Sequence, residues 1–154
     1  MVIREAGLLF RGFTLIKKSY HKTDLGKIDK DLRSGLLTAI LNFAETAFSK
    51  GAIEYFEGKK YVIAFTNSQI VAEDGIGPEI LISYAILDKE KKIDKYINKF
   101  ITPMLIKVAE EFKLMYSNKN LSEITQFREF KKDLDAIFKA DAENIDQKLK
   151  GVFY

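Results

Sequence analysis

The strongest constraint on this chain is the order in which its apolar patterns follow one another. Two β-like runs come first, through GLLFRGFTLIKKSYH, and then a helical stripe in DLRSGLLTAILNFAETAF. A second pair of runs follows in IEYFEGKKYVIAF, then a loop and the single run EILISYAILD. Everything after Asp88 has helical spacing. Strands joined by tight turns pair antiparallel, and a sheet interleaved with helices buries its apolar faces against them. The order therefore predicts an α/β (α+β) sandwich of three layers. Its centre is a five-stranded, mainly antiparallel sheet, with one helix on one face and two on the other.

The local signals agree with that order. Val2 to Phe10 and Phe13 to Tyr20 are rich in branched and aromatic residues, and Arg11-Gly12 between them predicts a tight turn, since glycine tolerates positive φ. Leu32, Leu36, Ile40, Phe43, Ala44 and Ala47 recur at helical steps, with Asp29 or Asp31 placed to cap the helix and Gly51 to stop it. Leu37, Leu41 and Phe48 widen that stripe. Tyr55 and Tyr61, Ile63, Phe65 mark a second hairpin around Glu57-Gly58-Lys59. Thr66 to Pro78 is expected as a loop, whose middle, QIVA, is apolar enough to pack or to extend a strand. Glu79 to Leu87 is almost continuously apolar, as a strand covered on both faces should be.

Beyond it, Ile93, Ile97, Phe100, Ile101, Met104, Leu105, Val108 and Phe112 form a long stripe interrupted by Pro103. Proline lacks an N–H, so either it kinks one helix or Thr102 caps a new one. Asn120 and Glu123 have the spacing of a capping box for a last helix through Leu121, Ile124, Phe127, Phe130, Leu134, Ile137 and Phe138. The expected domain spans residues 1–140, and residues 141–154 form a short helical extension.

Composition removes several kinds of chemistry. The chain has no Cys and one His, His21, which leaves no thiolate chemistry and no multi-histidine metal site within one chain. A net charge of +3 gives no strong general attraction to nucleic acid or membrane. No apolar run reaches the ~18 residues of a membrane span, and Arg4 and Glu5 interrupt the start as a signal peptide. A cytoplasmic protein without a transmembrane segment is expected. Gly75 to Pro78 (GIGP) lacks the Lys-Ser/Thr of a phosphate loop and is read as a turn. His21 sits among lysines with no nucleophile motif, so it is read as a solvated side chain. No catalytic, cofactor-binding or metal-binding residue is assigned.

The segments GLLFRGFTLIKKSY, LRSGLLTAILNFAETAF and IEYFEGKKYVIAF, in this order, resemble stand-alone longin-like proteins of prokaryotic and especially archaeal type. The related roadblock family shares the profilin-like sandwich but begins with a helix, so longin is the closer resemblance. It covers roughly residues 2 to 140. The resemblance implies a non-catalytic adaptor or regulator of small GTPases or of complexes like those of vesicle trafficking. It also implies a protein partner, either a small GTPase or another longin/roadblock-type subunit, and a homodimer as a hypothesis. Peripheral membrane contact is compatible with it. A small-molecule-sensing α/β domain is the alternative.

The expected partner surface has two parts. One is the edge of the first hairpin at Phe13, Leu15, Lys17, Lys18 and Tyr20. The other is the outer side of the first helix at Leu37, Leu41 and Phe48. The first 28 residues hold six cations, Arg4, Arg11, Lys17, Lys18, Lys22 and Lys27, against Glu5 and Asp24. That excess suits an acidic partner, or simply guards an exposed strand against aggregation. Nucleic acid is not expected, because no aromatic and basic interleaving appears.

Overall fold

The computed structural model describes residues 3–20, 54–57 and 61–138, with backbone alone for 54–57. Strands β1 (Ile3–Phe10), β2 (Phe13–Ser19), β3 (Glu54–Glu57), β4 (Tyr61–Ile70) and β5 (Glu79–Asp88) lie in the order β2-β1-β5-β4-β3. Every neighbouring pair is antiparallel. The architecture is α+β, an open antiparallel sheet with helices packed on it. The expected helix over 32–48 and the extension over 141–154 lie outside the described residues.

The first turn forms where glycine was expected to permit it. Arg11 and Gly12 both have positive φ, 52° and 79°. Two successive left-handed residues match the right-handed twist of the strands they join. In β2 the pairing slips by one residue: Leu8 lies opposite Ile16 but Leu9 opposite Thr14. Leu15 is the extra residue of a β-bulge, and this is why Leu15 and Ile16 are both buried although they are adjacent.

β4 runs past the expected boundary. The loop predicted from Thr66 begins only after Ile70, because Thr66 to Ile70 continue the ladder with β5 down to Ile70 opposite Glu79. Polar side chains at Thr66, Asn67, Ser68 and Gln69 disguise a strand that the backbone pairing sustains.

Ala6, Leu8, Phe10, Val62, Ala64, Leu81, Ala85 and Leu87 face one side and join the helices in the main core. Leu9, Tyr61, Ile63, Phe65, Ile82, Tyr84 and Ile86 make a second cluster on the other side. Both sides are inaccessible to water: Phe65 and Tyr84, on the second, are each 1% exposed. Gly7 sits opposite Tyr84 in the ladder, and the Tyr84 ring passes over it. The Tyr84 hydroxyl then donates to the buried Glu5 carboxylate at 2.7 Å.

After β5, the chain enters helix α1 (Ile93–Tyr96), a π-helical turn (Ile97–Ile101) and helix α2 (Thr102–Tyr116) without a break. Thr102 has helical φ and ψ, and its N–H bonds to Ile97 five residues back. Thr102 therefore does not cap a new helix, which removes one of the two alternatives at Pro103. A wide π turn immediately before Pro103 accommodates the residue that cannot donate a helical hydrogen bond. Ser83 ties this helix to the sheet by donating to the Leu105 carbonyl at 2.9 Å. Its proton is thereby used, so Thr66 is the donor in the 2.6 Å contact between the two hydroxyls.

The expected capping box also changes. Asn120 Oδ1 accepts from the Ser122 N–H at 3.0 Å, two residues on, and Glu123 offers no side-chain cap. The chain first makes a 3-10 turn (Ile124–Arg128), and helix α3 then occupies 130–138. The short Asx bond competes with helix initiation and delays it.

Candidate functional site

A groove of about 330 Å³ runs between β2 and the 3-10 turn. It is built from two sides. The bulge in β2 presents Thr14, Leu15, Ile16 and Lys17 to it, and the 3-10 turn and the start of α3 present Ile124, Thr125, Phe127, Arg128 and Lys131. β2 is the outermost strand on this side among the described residues.

The far wall is held rigidly. Phe127 is fully buried, with its ring 5.3 Å from Phe112 and 4.9 Å from Tyr116, the latter edge-on. Phe130 adds an edge-on contact to Phe112 at 5.3 Å. Such tilted and edge-on pairs are the preferred aromatic arrangements. The Tyr116 hydroxyl donates to the Gln126 carbonyl at 3.2 Å, and the Gln126 amide donates to the Asn120 carbonyl. Leu121 is buried beneath the same loop. With the backbone fixed this way, Ile124 is left 57% exposed at the groove mouth.

The groove is electropositive for a specific reason. Lys17, Arg128 and Lys131 line it, all three are exposed, and no carboxylate lines it among the described residues. None of the three forms an ion pair with a described residue. The other described cations of the first hairpin are neutralised by carboxylates from later in the chain. Arg4 pairs with Asp88 at 2.7 and 3.0 Å, and Lys18 with Asp135 at 3.3 Å. Arg11 grips both Asp74 and Glu79 through four hydrogen bonds of 2.5 to 3.1 Å. Its guanidinium holds the Glu79 and Asp74 carboxyls below the usual carboxylate range and is itself raised by them. Among the described residues, the positive charge of the first hairpin thus mostly cancels in three dimensions, leaving Lys17, joined by two cations from more than a hundred residues away.

The expected partner residues separate accordingly. Phe13, 74% exposed, and Lys17 stand free on the surface. Leu15 is 6% exposed and belongs to the main core, and only its residual surface lines the groove. Lys18 is occupied by Asp135. Tyr20 is half-buried, its ring 6.4 Å from that of Phe138 and its hydroxyl donating over a long 3.5 Å to the Leu134 carbonyl. Burial foremost, with the nearby Asp135 carboxylate, raises the Tyr20 hydroxyl well above its ordinary value. Leu37, Leu41, Phe48 and His21 lie outside the described residues. Arg128 and Lys131 escaped sequence reasoning, because on a helical pattern they are ordinary surface residues. Ile124 was expected in the buried stripe of the last helix and is corrected to an exposed residue: the chain makes a 3-10 turn there, and its packing beside β2 gives the three a common neighbour.

Among the described residues, no group of three His, Cys, Asp or Glu side chains is placed to hold a metal ion. No described helix is long and apolar enough to cross a membrane. Compared with protein-family models, curated proteins and solved structures, the chain has no match.

Proposed function

We propose that this chain is a non-catalytic protein-interaction module of longin-like type, an adaptor or regulator for a small GTPase or another longin/roadblock-type subunit in the cytoplasm. The single observation that supports this most is the basic groove beside β2: three cations that, among the described residues, have no ion-pair partner and no carboxylate beside them in the lining. Such a surface suits recognition of an acidic protein. The finer architecture belongs to the same proposal. It is a five-stranded, three-layer sandwich in which the segment 32–48 forms the helix over the second face. The deep burial of that face, with Leu9, Ile82 and Ile86 nearly inaccessible, supports it. Leu37, Leu41 and Phe48 would then offer the apolar side for a homodimer.

The test is affinity capture of tagged protein from extract of its own cells, in the presence of GDP or a non-hydrolysable GTP analogue. Enrichment of one small GTPase, or of one second longin/roadblock-type protein, is the expected result, and dependence on the added nucleotide would mark effector-like binding. Return of the bait alone under all conditions overturns the adaptor reading. The second reading, a small-molecule sensor, draws on the groove volume, at the lower end of the ~300–1,000 Å³ range of ligand sites. A metabolite retained by the purified protein in native mass spectrometry would favour it.

A further inference from the structure

We infer that the groove between β2 and the 3-10 turn is the seat for an acidic, extended segment of a protein partner, with carboxylates on either side of an apolar residue. This rests on the interaction-module reading above and names the partner's chemistry.

Charge is the first reason. Lys17 approaches from the strand, and Arg128 and Lys131 from the opposite wall, so an occupant meets cations on both sides. Because no carboxylate of a described residue engages them, no ion pair among these residues has to be broken when a partner's carboxylate arrives. Arg128 adds a planar fork suited to a carboxylate, which lysine alone does not supply.

Apolar surface is the second. Ile124 stands exposed at the mouth, above a wall that includes Leu15, Ile16 and the buried Phe127 ring. A wholly ionic ligand would leave the Ile124 side chain wet, whereas an apolar side chain set between acidic ones would cover it. Shape is the third. The groove is open along β2, and the bulge at Leu15 interrupts the edge of that strand. A regular ladder along the whole edge is therefore unfavourable, and recognition falls to side chains. Pre-organisation is the fourth. The Phe112, Tyr116, Phe127 cluster and the Gln126 bonds hold the far wall before any partner arrives, so little ordering cost remains for binding.

The test begins with selection of short random peptides displayed on phage against the whole chain, followed by anisotropy titrations with a labelled synthetic copy of the winning sequence. Enriched peptides should carry two or more Asp or Glu around an apolar residue. Their affinity should fall at least about tenfold in R128E/K131E, and by a smaller factor in K17E and in Ile124→Ser. The Lys107→Glu variant, on an exposed face of α2, should bind as the parent does. A copy of the peptide with Lys in place of its acidic residues should prefer R128E/K131E. Circular dichroism checks that each variant keeps its fold.

Enrichment of neutral or basic peptides, or binding unchanged in R128E/K131E, overturns the inference. So does binding of the parent to phosphatidylserine vesicles, but to no displayed peptide, when R128E/K131E abolishes it; the groove would then serve a lipid surface. The same variant in the extract capture separates the two levels. A partner that is captured undiminished by R128E/K131E leaves the module reading intact and removes the groove as its seat. Failure of capture with the parent protein removes the module reading itself.

Discussion

Gly7 shows how little room a single position can leave. A Cβ built there would stand 2.4 Å from the Ile16 carbonyl oxygen and 2.9 Å from the Tyr84 ring. The oxygen belongs to the backbone of the neighbouring strand and cannot swing aside. Gly7→Ala should therefore destabilise the protein by about 3 kcal/mol, at the upper end of overpacking costs, and urea unfolding would measure it. The buried hydroxyls beneath the sheet behave in opposite ways. Ser83 bridges Thr66 and the Leu105 carbonyl, so Ser83→Ala strips partners from both and should cost about 1–3 kcal/mol. Thr102 Oγ1 is buried with no hydrogen-bond partner. Thr102→Val keeps the shape and removes the unmet hydroxyl, and should raise stability by about 1 kcal/mol in the same assay.

At the level of elements, the clamp on Arg11 joins the β1–β2 turn to Asp74 in the loop before β5 and to Glu79 at the start of β5. The Asp74 and Glu79 carboxyls are held below their ordinary range by the hydrogen bonds from Arg11 and by its charge. A carboxyl whose folded pKa is lowered contributes stability that is complete above its unfolded pKa and is lost as pH falls through the lowered value. The difference in urea midpoint between the parent and Arg11→Gln should accordingly be largest near neutrality. It should shrink on acidification below about pH 4, where carboxyls begin to protonate, and high salt should reduce it too. The elements were also unequally legible in the sequence. The turn at Arg11-Gly12 was readable because glycine next to a long side chain between two apolar runs has few other uses. The end of β4 was not, since Thr66 to Gln69 are polar and only pairing with β5 makes them a strand. The π turn before Pro103 was hidden for a related reason. The sequence shows that a bond must be lost at proline, but not whether the chain bends, restarts or widens to absorb the loss.

Taken as a whole molecule, the sheet is most protected at its centre. β5 lies between β1 and β4, its residues 81–87 are buried, and helix α2 hangs from it through Ser83. Amide hydrogen exchange should be slowest in the middle of β5 and in the residues of β1 and β4 paired with it. It should be faster in β2, which is hydrogen-bonded along one side only among the described strands. Rapid exchange through the centre of β5, as fast as in β2, would contradict this order. The candidate groove belongs to this scale as well, which is why the sequence did not reveal it. Lys17 is visible as one of several hairpin cations, yet its significance depends on Arg4, Arg11 and Lys18 being neutralised from a distance while Arg128 and Lys131 arrive unpaired. No local pattern carries that information.

The bulge at Leu15 has a consequence for how copies of this chain meet. An edge strand invites another strand to pair with it, and two identical edges laid together seal two molecules into one continuous sheet. Two β2 strands laid side by side would both have to bridge the out-of-step residue, so neither could supply an unbroken row of bonds to the other. The margin that stays open to a short visitor is thereby closed to the same margin of a second copy, and β2 can end the described sheet without fusing two molecules through it.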